Sequence, residues 1–231
     1  MDSLSVKRTD TQVMVNEFIR SVYNWMGIGL AATGFVAYYV SSNEEIFKAV
    51  FSMRWLFFIS ELALVFILAS RIHKLKSSTA TFLFLLYSIL NGATLSIIFI
   101  IYTMSSIAST FFICAGTFIT FSIYGWTTKR DLTGLGQFMF MGLIGIIIAS
   151  VVNIFLKNSG LMMIISYIGV FIFVGLTAYD TQYIKNMALT QPADLDAGAV
   201  RKGAIIGALK LYLDFILMFQ YLLMIFGGGR D

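Results

Sequence analysis

Gln137 to Lys157 reads QFMFMGLIGIIIASVVNIFLK. Between its two ends the run carries no charge, and only Ser150 and Asn153 are polar. About 20 mostly apolar residues are enough for a helix to cross the hydrocarbon core of a bilayer, so this stretch predicts a membrane-spanning helix. Six more segments have the same character: 22–41, 55–72, 80–103, 107–126, 161–180 and 203–226. Ser41-Ser42-Asn43-Glu44-Glu45, Arg71 to Ser78 and Thr127 to Gly136 read as loops between them. Thr103-Met104-Ser105-Ser106 reads as a tight hairpin and Asn158-Ser159-Gly160 as a short turn. The sole proline, Pro192, falls in the longest loop. The expected architecture is all-α: a polytopic membrane protein with one seven-helix domain over residues 1–231. It has a polar N-terminal tail over 1–21 and a loop over 184–202, and neither could bury a core.

Composition supports that class. The 231 residues are 58% apolar and 12% charged, against about 25% charged in a soluble domain. Mean hydropathy is +0.85. The net charge of +4 does not indicate nucleic acid, because the basic residues form short clusters between apolar runs, not the basic helix or patch that nucleic-acid binding uses. Cys114 is the only cysteine and His73 the only histidine, which excludes an intrachain disulfide and Cys₄ or Cys₂His₂ zinc. The first 21 residues lack the shape of a signal peptide, so the first apolar run is read as an uncleaved helix.

The distribution of Lys and Arg orients the chain. Eleven lie on the N-terminal side of the seven expected spans, four on the opposite side, and Lys210 lies within the seventh. The positive-inside rule then predicts a cytoplasmic N-terminus, a cytoplasmic 184–202 loop, and a C-terminus, Arg230-Asp231, outside. Small residues recur within spans, and Gly203-xxx-Gly207 has the spacing that lets helices approach closely in lipid; packing within the chain is the reading adopted for it.

A charge at mid-helix costs roughly 2.5–3.5 kcal/mol on insertion scales, so the ionisable residues inside apolar runs are the candidates for function. They are Glu61 in span two, Asp180 at the end of span six, and Lys210 and Asp214 in span seven; Arg71 closes span two. Two carboxylates meeting in low dielectric resist double ionisation and titrate as a pair, which would make Asp180 and Asp214 a proton-sensitive cation gate. Asp180 also reads as a solvated helix-end carboxylate, and Asp214 as a group neutralised by Lys210 one turn earlier. Glu61 is too far from Arg71 for a pair within one helix and needs a partner on another helix, water, or a proton. His73 sits in a short basic loop and reads as solvent-facing. No HExxH, GxSxG or Walker pattern occurs, and the Gly-x-Gly-Asp run of intramembrane aspartyl proteases is absent at Asp214. Span three offers Asn91 and no carboxylate as a counter-ion for a retinal-type lysine. The chain is therefore read as a non-enzyme without a cofactor.

Four runs together resemble the Bax inhibitor family, the transmembrane Bax inhibitor motif proteins, in its bacterial YccA-like branch. They are Tyr124–Thr133 (YGWTTKRDLT), Met139–Asn153 (MFMGLIGIIIASVVN), Gly175–Lys185 (GLTAYDTQYIK) and Ala208–Phe219 (ALKLYLDFILMF). The resemblance implies a seven-helix bundle with the seventh helix central, set in a bacterial inner membrane. It implies a calcium or cation leak gated by pH through two aspartates, which carry over to Asp180 and Asp214 as transient calcium ligands, with calcium as the permeant ion. A family carboxylate on span two matches Glu61. A family arginine that latches the aspartates has its nearest candidate in Arg71, one residue short of the expected spacing and so rotated by about 100°. Gln191 to Val200 looks like an extra loop segment, and Lys210 is an addition beside Asp214. The alternative implied function is a non-conducting regulator of a membrane protease or stress partner, contacted through Met1 to Arg20. Membrane lipid is the expected environment, and nothing in the sequence sets the oligomeric state.

Overall fold

The structure is a computed structural model. It describes residues 3–192 and 196–229, with side chains for 13–72, 74–192 and 196–229. The expected C-terminal pair Arg230-Asp231 and the loop residues 193–195 lie outside the described residues. The described chain is helical throughout: α1 (Ser3–Ser41), α2 (Glu44–Ser52), α3 (Arg54–Arg71), a 3₁₀ turn (Ile72–Lys74), α4 (Ser77–Leu95), α5 (Ile98–Ile101), α6 (Met104–Thr127), α7 (Thr133–Leu156), α8 (Ser159–Thr190) and α9 (Ala197–Phe226). Among the described residues the one β feature is an isolated antiparallel bridge between Tyr102 and Gly229.

Among the described residues, five stretches are long and apolar enough to cross a bilayer: Ser77–Ile101, Met104–Thr127, Thr133–Leu156, Ser159–Thr190 and Ala197–Phe226. The pair α2 and α3, bent by 70° at Met53, supplies a sixth if it counts as one span. Segment 22–41, read as the first span, is helical within α1 but is not among these stretches. Asn24, three glycines and the Tyr38-Tyr39 pair dilute its apolar character.

The helices also extend into segments read as loop. The tail before residue 22 is helical from Ser3 and continuous with α1. Glu44 and Glu45 belong to α2, whose first turn is capped by the Asn43 side chain accepting from Ile46 N–H at 3.1 Å. Acidic side chains there also favour the positive end of the helix dipole. The 184–202 loop is shorter than expected: α8 runs to Thr190 and α9 begins at Ala197. Ile184 and Ala188, one turn apart, are both buried, and this apolar stripe carries the helix past the span.

By its contacts the chain, read as one domain, divides into two compact units. The first holds the residues up to Ile101 together with Ile184–Tyr212; the second holds Tyr102–Tyr183 and the residues from Leu213 onward. In the first unit, Gly92 lies where a Cβ would meet the Thr33 backbone at 2.6 Å, and Gly29 faces the Phe84 ring. α1 and α4 therefore approach closely at two levels. Gly203 faces Phe18, and Gly207 faces Val22 and Ile184. The small-residue spacing thus serves packing within the chain. In the second unit, Phe111 and Phe118 of α6 meet Phe215 edge-on with ring centres 5.5 Å apart. Only 11% of the α7 span is buried, against 56% for α9. α7 therefore turns most of its apolar surface outward, whereas α9 is mostly covered.

Candidate functional site

Asp180 lies ten residues before the end of α8, in a segment fixed on three sides within the second unit. On α6, a Cβ at Gly125 would collide with the Ala178 carbonyl, so the two backbones touch there. On α7, a Cβ at Gly136 would fall 2.5 Å from the Tyr179 ring. The α6–α7 loop is held by Gln182, whose Oε1 accepts from Leu132 N–H at 2.8 Å and whose Nε2 donates to the Arg130 carbonyl at 2.9 Å. Thr181 Oγ1 donates to Ser122 Oγ at 3.3 Å. The residues on both sides of Asp180 are thus pinned, and Asp180 itself is 6% exposed. The solvated helix-end reading of Asp180 does not fit that burial.

Asp214 is 3% exposed on α9. The next residue, Phe215, packs its ring on Phe118 and accepts a weak hydrogen bond from Cys114 Sγ at 3.6 Å. Both aspartates therefore sit on helices that pack on α6. Asp180 is beside the Ser122 and Gly125 level, and Asp214 is beside the Cys114 to Phe118 level. Successive residues rise 1.5 Å along a helix, so neighbours on α6 four to eleven positions apart set the two levels ~6–16 Å apart. Among the described residues, no group of three or more His, Cys, Asp or Glu side chains is placed to hold a metal ion.

The second buried carboxyl system lies in the first unit. Glu61 on α3 is 9% exposed. It accepts from Thr94 Oγ1 at 2.5 Å and from Asn91 Nδ2 at 3.3 Å, both on α4. Asn91 Oδ1 in turn accepts from the Tyr212 hydroxyl of α9 at 3.1 Å. That hydroxyl is 2.6 Å from Thr33 Oγ1 of α1, which donates to the Ser88 carbonyl at 2.9 Å. One polar chain therefore joins α3, α4, α9 and α1 in an apolar interior. The sequence left Glu61 a partner on another helix, water or a proton, and Asn91 stood out there only as no carboxylate counter-ion. Thr94, Tyr212 and Thr33 went unmarked, because a single hydroxyl in an apolar run carries no pattern of its own.

The family model described as inhibitor of apoptosis-promoting Bax1 matches residues 15–231. The chain belongs to the Bax inhibitor family. Its relatives include the inner membrane protein YbhL of Escherichia coli, 51% identical over 216 residues and covering 92% of each chain. A protein of Borreliella burgdorferi is 47% identical over 219 residues, covering 94% of each, and one of Rickettsia prowazekii is 41% identical over 219 residues, covering 94% of this chain and 92% of the relative.

This Bax inhibitor family member places its remaining candidates in the first unit. Arg71 is exposed at the end of α3 and belongs to the first unit, as does Lys210, which is half-buried on α9. The aspartates belong to the second unit. At the start of α9, Arg201 donates to Thr81 Oγ1 at 3.1 Å and stacks over the Trp25 ring at 5.3 Å. That basic residue, unmarked in the sequence, ties α9 to α4 and α1.

Proposed function

We propose that this protein is a pH-sensitive calcium or cation leak of a bacterial inner membrane, gated by Asp180 and Asp214 acting as a pair. The observation that carries the reading is the burial of two carboxyls on helices that share α6 as a neighbour. A buried acid is costly in a membrane and needs a cation, a proton or a pathway to justify it. The clamp of Gln182, Gly125 and Gly136 around Asp180 supports a gate whose geometry is set by α6 and α7. The full seven-span plan, with α1 and the α2–α3 pair each crossing once and α9 at the centre, belongs to this reading. So do a cytoplasmic N-terminus and an outward C-terminus. YbhL, named an inner membrane protein in Escherichia coli, supports the compartment.

At low pH the carboxyls are neutral and lose their attraction for a cation; ionisation restores it and adds repulsion between them. Calcium entry into dye-loaded liposomes should therefore depend on pH between about 5 and 8, where buried, interacting carboxyls titrate, and Asp180→Asn or Asp214→Asn should abolish that dependence. Absence of flux throughout the range, or an unchanged profile in both variants, would overturn the reading.

A further inference from the structure

The chain from Ser88 to Asn91 has more contacts than protons. Its ends are the Ser88 carbonyl and Asn91 Oδ1, both acceptors. Between them stand two hydroxyls, Thr33 and Tyr212, each with one proton. Three gaps must be filled: Ser88 O to Thr33 at 2.9 Å, Thr33 to Tyr212 at 2.6 Å, and Tyr212 to Asn91 Oδ1 at 3.1 Å. Two protons cannot fill three gaps, so with Asn91 in this orientation one contact is oxygen against oxygen. Ser88 Oγ also hydrogen-bonds the Tyr212 side chain, but it does not relieve the shortage, since it brings one proton for two contacts, Tyr212 and the Phe84 carbonyl at 3.0 Å.

Turning the Asn91 amide over removes the conflict. The oxygen and nitrogen of an amide are nearly isosteric, and their assignment follows the hydrogen-bond network. With Nδ2 toward Tyr212, three protons fill three gaps: Asn91 to Tyr212, Tyr212 to Thr33, Thr33 to Ser88 O. Asn91 Oδ1 then faces Glu61 Oε2, and two acceptors at 3.3 Å require a proton between them, supplied by Glu61. Thr94 Oγ1, which is also 3.2 Å from the Leu90 carbonyl, keeps its single proton on the shorter contact to Oε1 in either state.

We infer that Glu61 is a proton-binding site whose occupancy is read by an Asn91 amide flip, which sets the hydrogen-bond polarity of the Asn91–Tyr212–Thr33–Ser88 chain. With Glu61 ionised, Asn91 donates to the carboxylate and the far end of the chain is short of one bond. When Glu61 takes a proton from water, the amide turns and every contact from α3 to α1 is satisfied. A cavity of about 140 Å³ with Phe47, Phe51 and Arg54 on its wall is also lined by Thr94, the residue that bonds Glu61. Glu61 has no ion pair among the described residues. On α4 the titratable neighbour is Tyr87, and on α9 it is Tyr212. On α2, Glu44 and Lys48 pair with each other in solvent at 2.5 Å. Lys74 in the 3₁₀ turn and Arg71 on α3 are exposed.

Glu61 lies in the first unit and the aspartates in the second, and the test does not need flux. pH-difference infrared spectroscopy of the full chain in lipid nanodiscs should show a carboxyl band that disappears in Glu61→Gln, accompanied by a side-chain amide change that disappears in Asn91→Leu. Tyr212→Phe and Thr33→Val keep the packing but end the proton shortage. Each should move the midpoint of the Glu61 band toward acid by about 0.5–1 pH unit, the equivalent of one net hydrogen bond. Thr33→Ser, which restores the hydroxyl, should retain the wild-type midpoint and serves as the control for folding. Asp180→Asn and Asp214→Asn should leave the band in place, whatever they do to flux. An unchanged midpoint in both Tyr212→Phe and Thr33→Val, or an amide signal that ignores the carboxyl band, would overturn the inference.

Discussion

Gly125 is the residue whose replacement tests the clamp around Asp180 most simply. A methyl group there meets the Ala178 carbonyl, a backbone group that cannot swing aside. Overpacking of this kind costs ~1–3 kcal/mol. Gly125→Ala is therefore expected to lower unfolding stability in detergent by about that amount, while Gly145→Ala, with open space around it, stays within about 0.5 kcal/mol. Equal losses at both positions would contradict the contact. Gln182 makes a different prediction. Gln182→Ala removes both bonds to the α6–α7 loop and leaves the Leu132 N–H without its acceptor, a loss of ~1–3 kcal/mol, and amide exchange should rise first at Arg130 to Leu132. At this scale the sequence was half legible. A lone acid in an apolar run is conspicuous because its burial is expensive, and so Glu61, Asp180 and Asp214 stood out. Gly125, Gln182 and Tyr212 act through neighbours far away in the chain, and no local spacing points to such neighbours.

At the scale of elements, hydropathy located the long spans but missed helical segments that are not apolar throughout. α2 is the clearest case. Asn43 followed by Glu44 and Glu45 is a helix-start pattern that reads equally well as a polar loop when apolar length alone is scored. Asn43→Ala should cost α2 ~0.5–2 kcal/mol, visible as faster amide exchange over Glu44 to Ala49 with α3 unaffected. The end of α8 was read as loop for the same reason: Lys185 and Asn186 share those turns with the buried Ile184 and Ala188, and amphipathic turns look polar on average. The start of α7 has a pH signature. The Thr133 hydroxyl and N–H both donate to Asp131, at 2.6 and 2.9 Å, and these bonds, the hydroxyl foremost, hold the Asp131 carboxyl below its ordinary value of 3.8. A depressed carboxyl stabilises the folded state fully above its unfolded value and loses that effect as pH falls through the folded one. Exchange at the first turn of α7 should therefore be flat above about pH 5 and rise, relative to its intrinsic rate, only as the acid range is entered. Asp131→Ala should show the low-pH behaviour at every pH.

At the scale of the whole molecule, family membership and multi-pass helical character rest on the long apolar helices and on the match over residues 15–231. The sequence displayed both, because apolar length is a property of consecutive residues. The division of contacts into two units was not visible, because it depends on which halves of α8 and α9 pack with which partners. Both aspartates fall in the second unit and the Glu61 chain in the first, so each unit holds buried acid. The central claim is that Asp180 and Asp214 form one gate. Calcium flux into liposomes, followed across pH for Asp180→Asn, Asp214→Asn and the double variant, tests it directly, since residues that act as a unit are strongly non-additive. The account predicts that the double variant matches either single one in rate and in lost pH dependence. Independent effects that multiply in the double variant would contradict it.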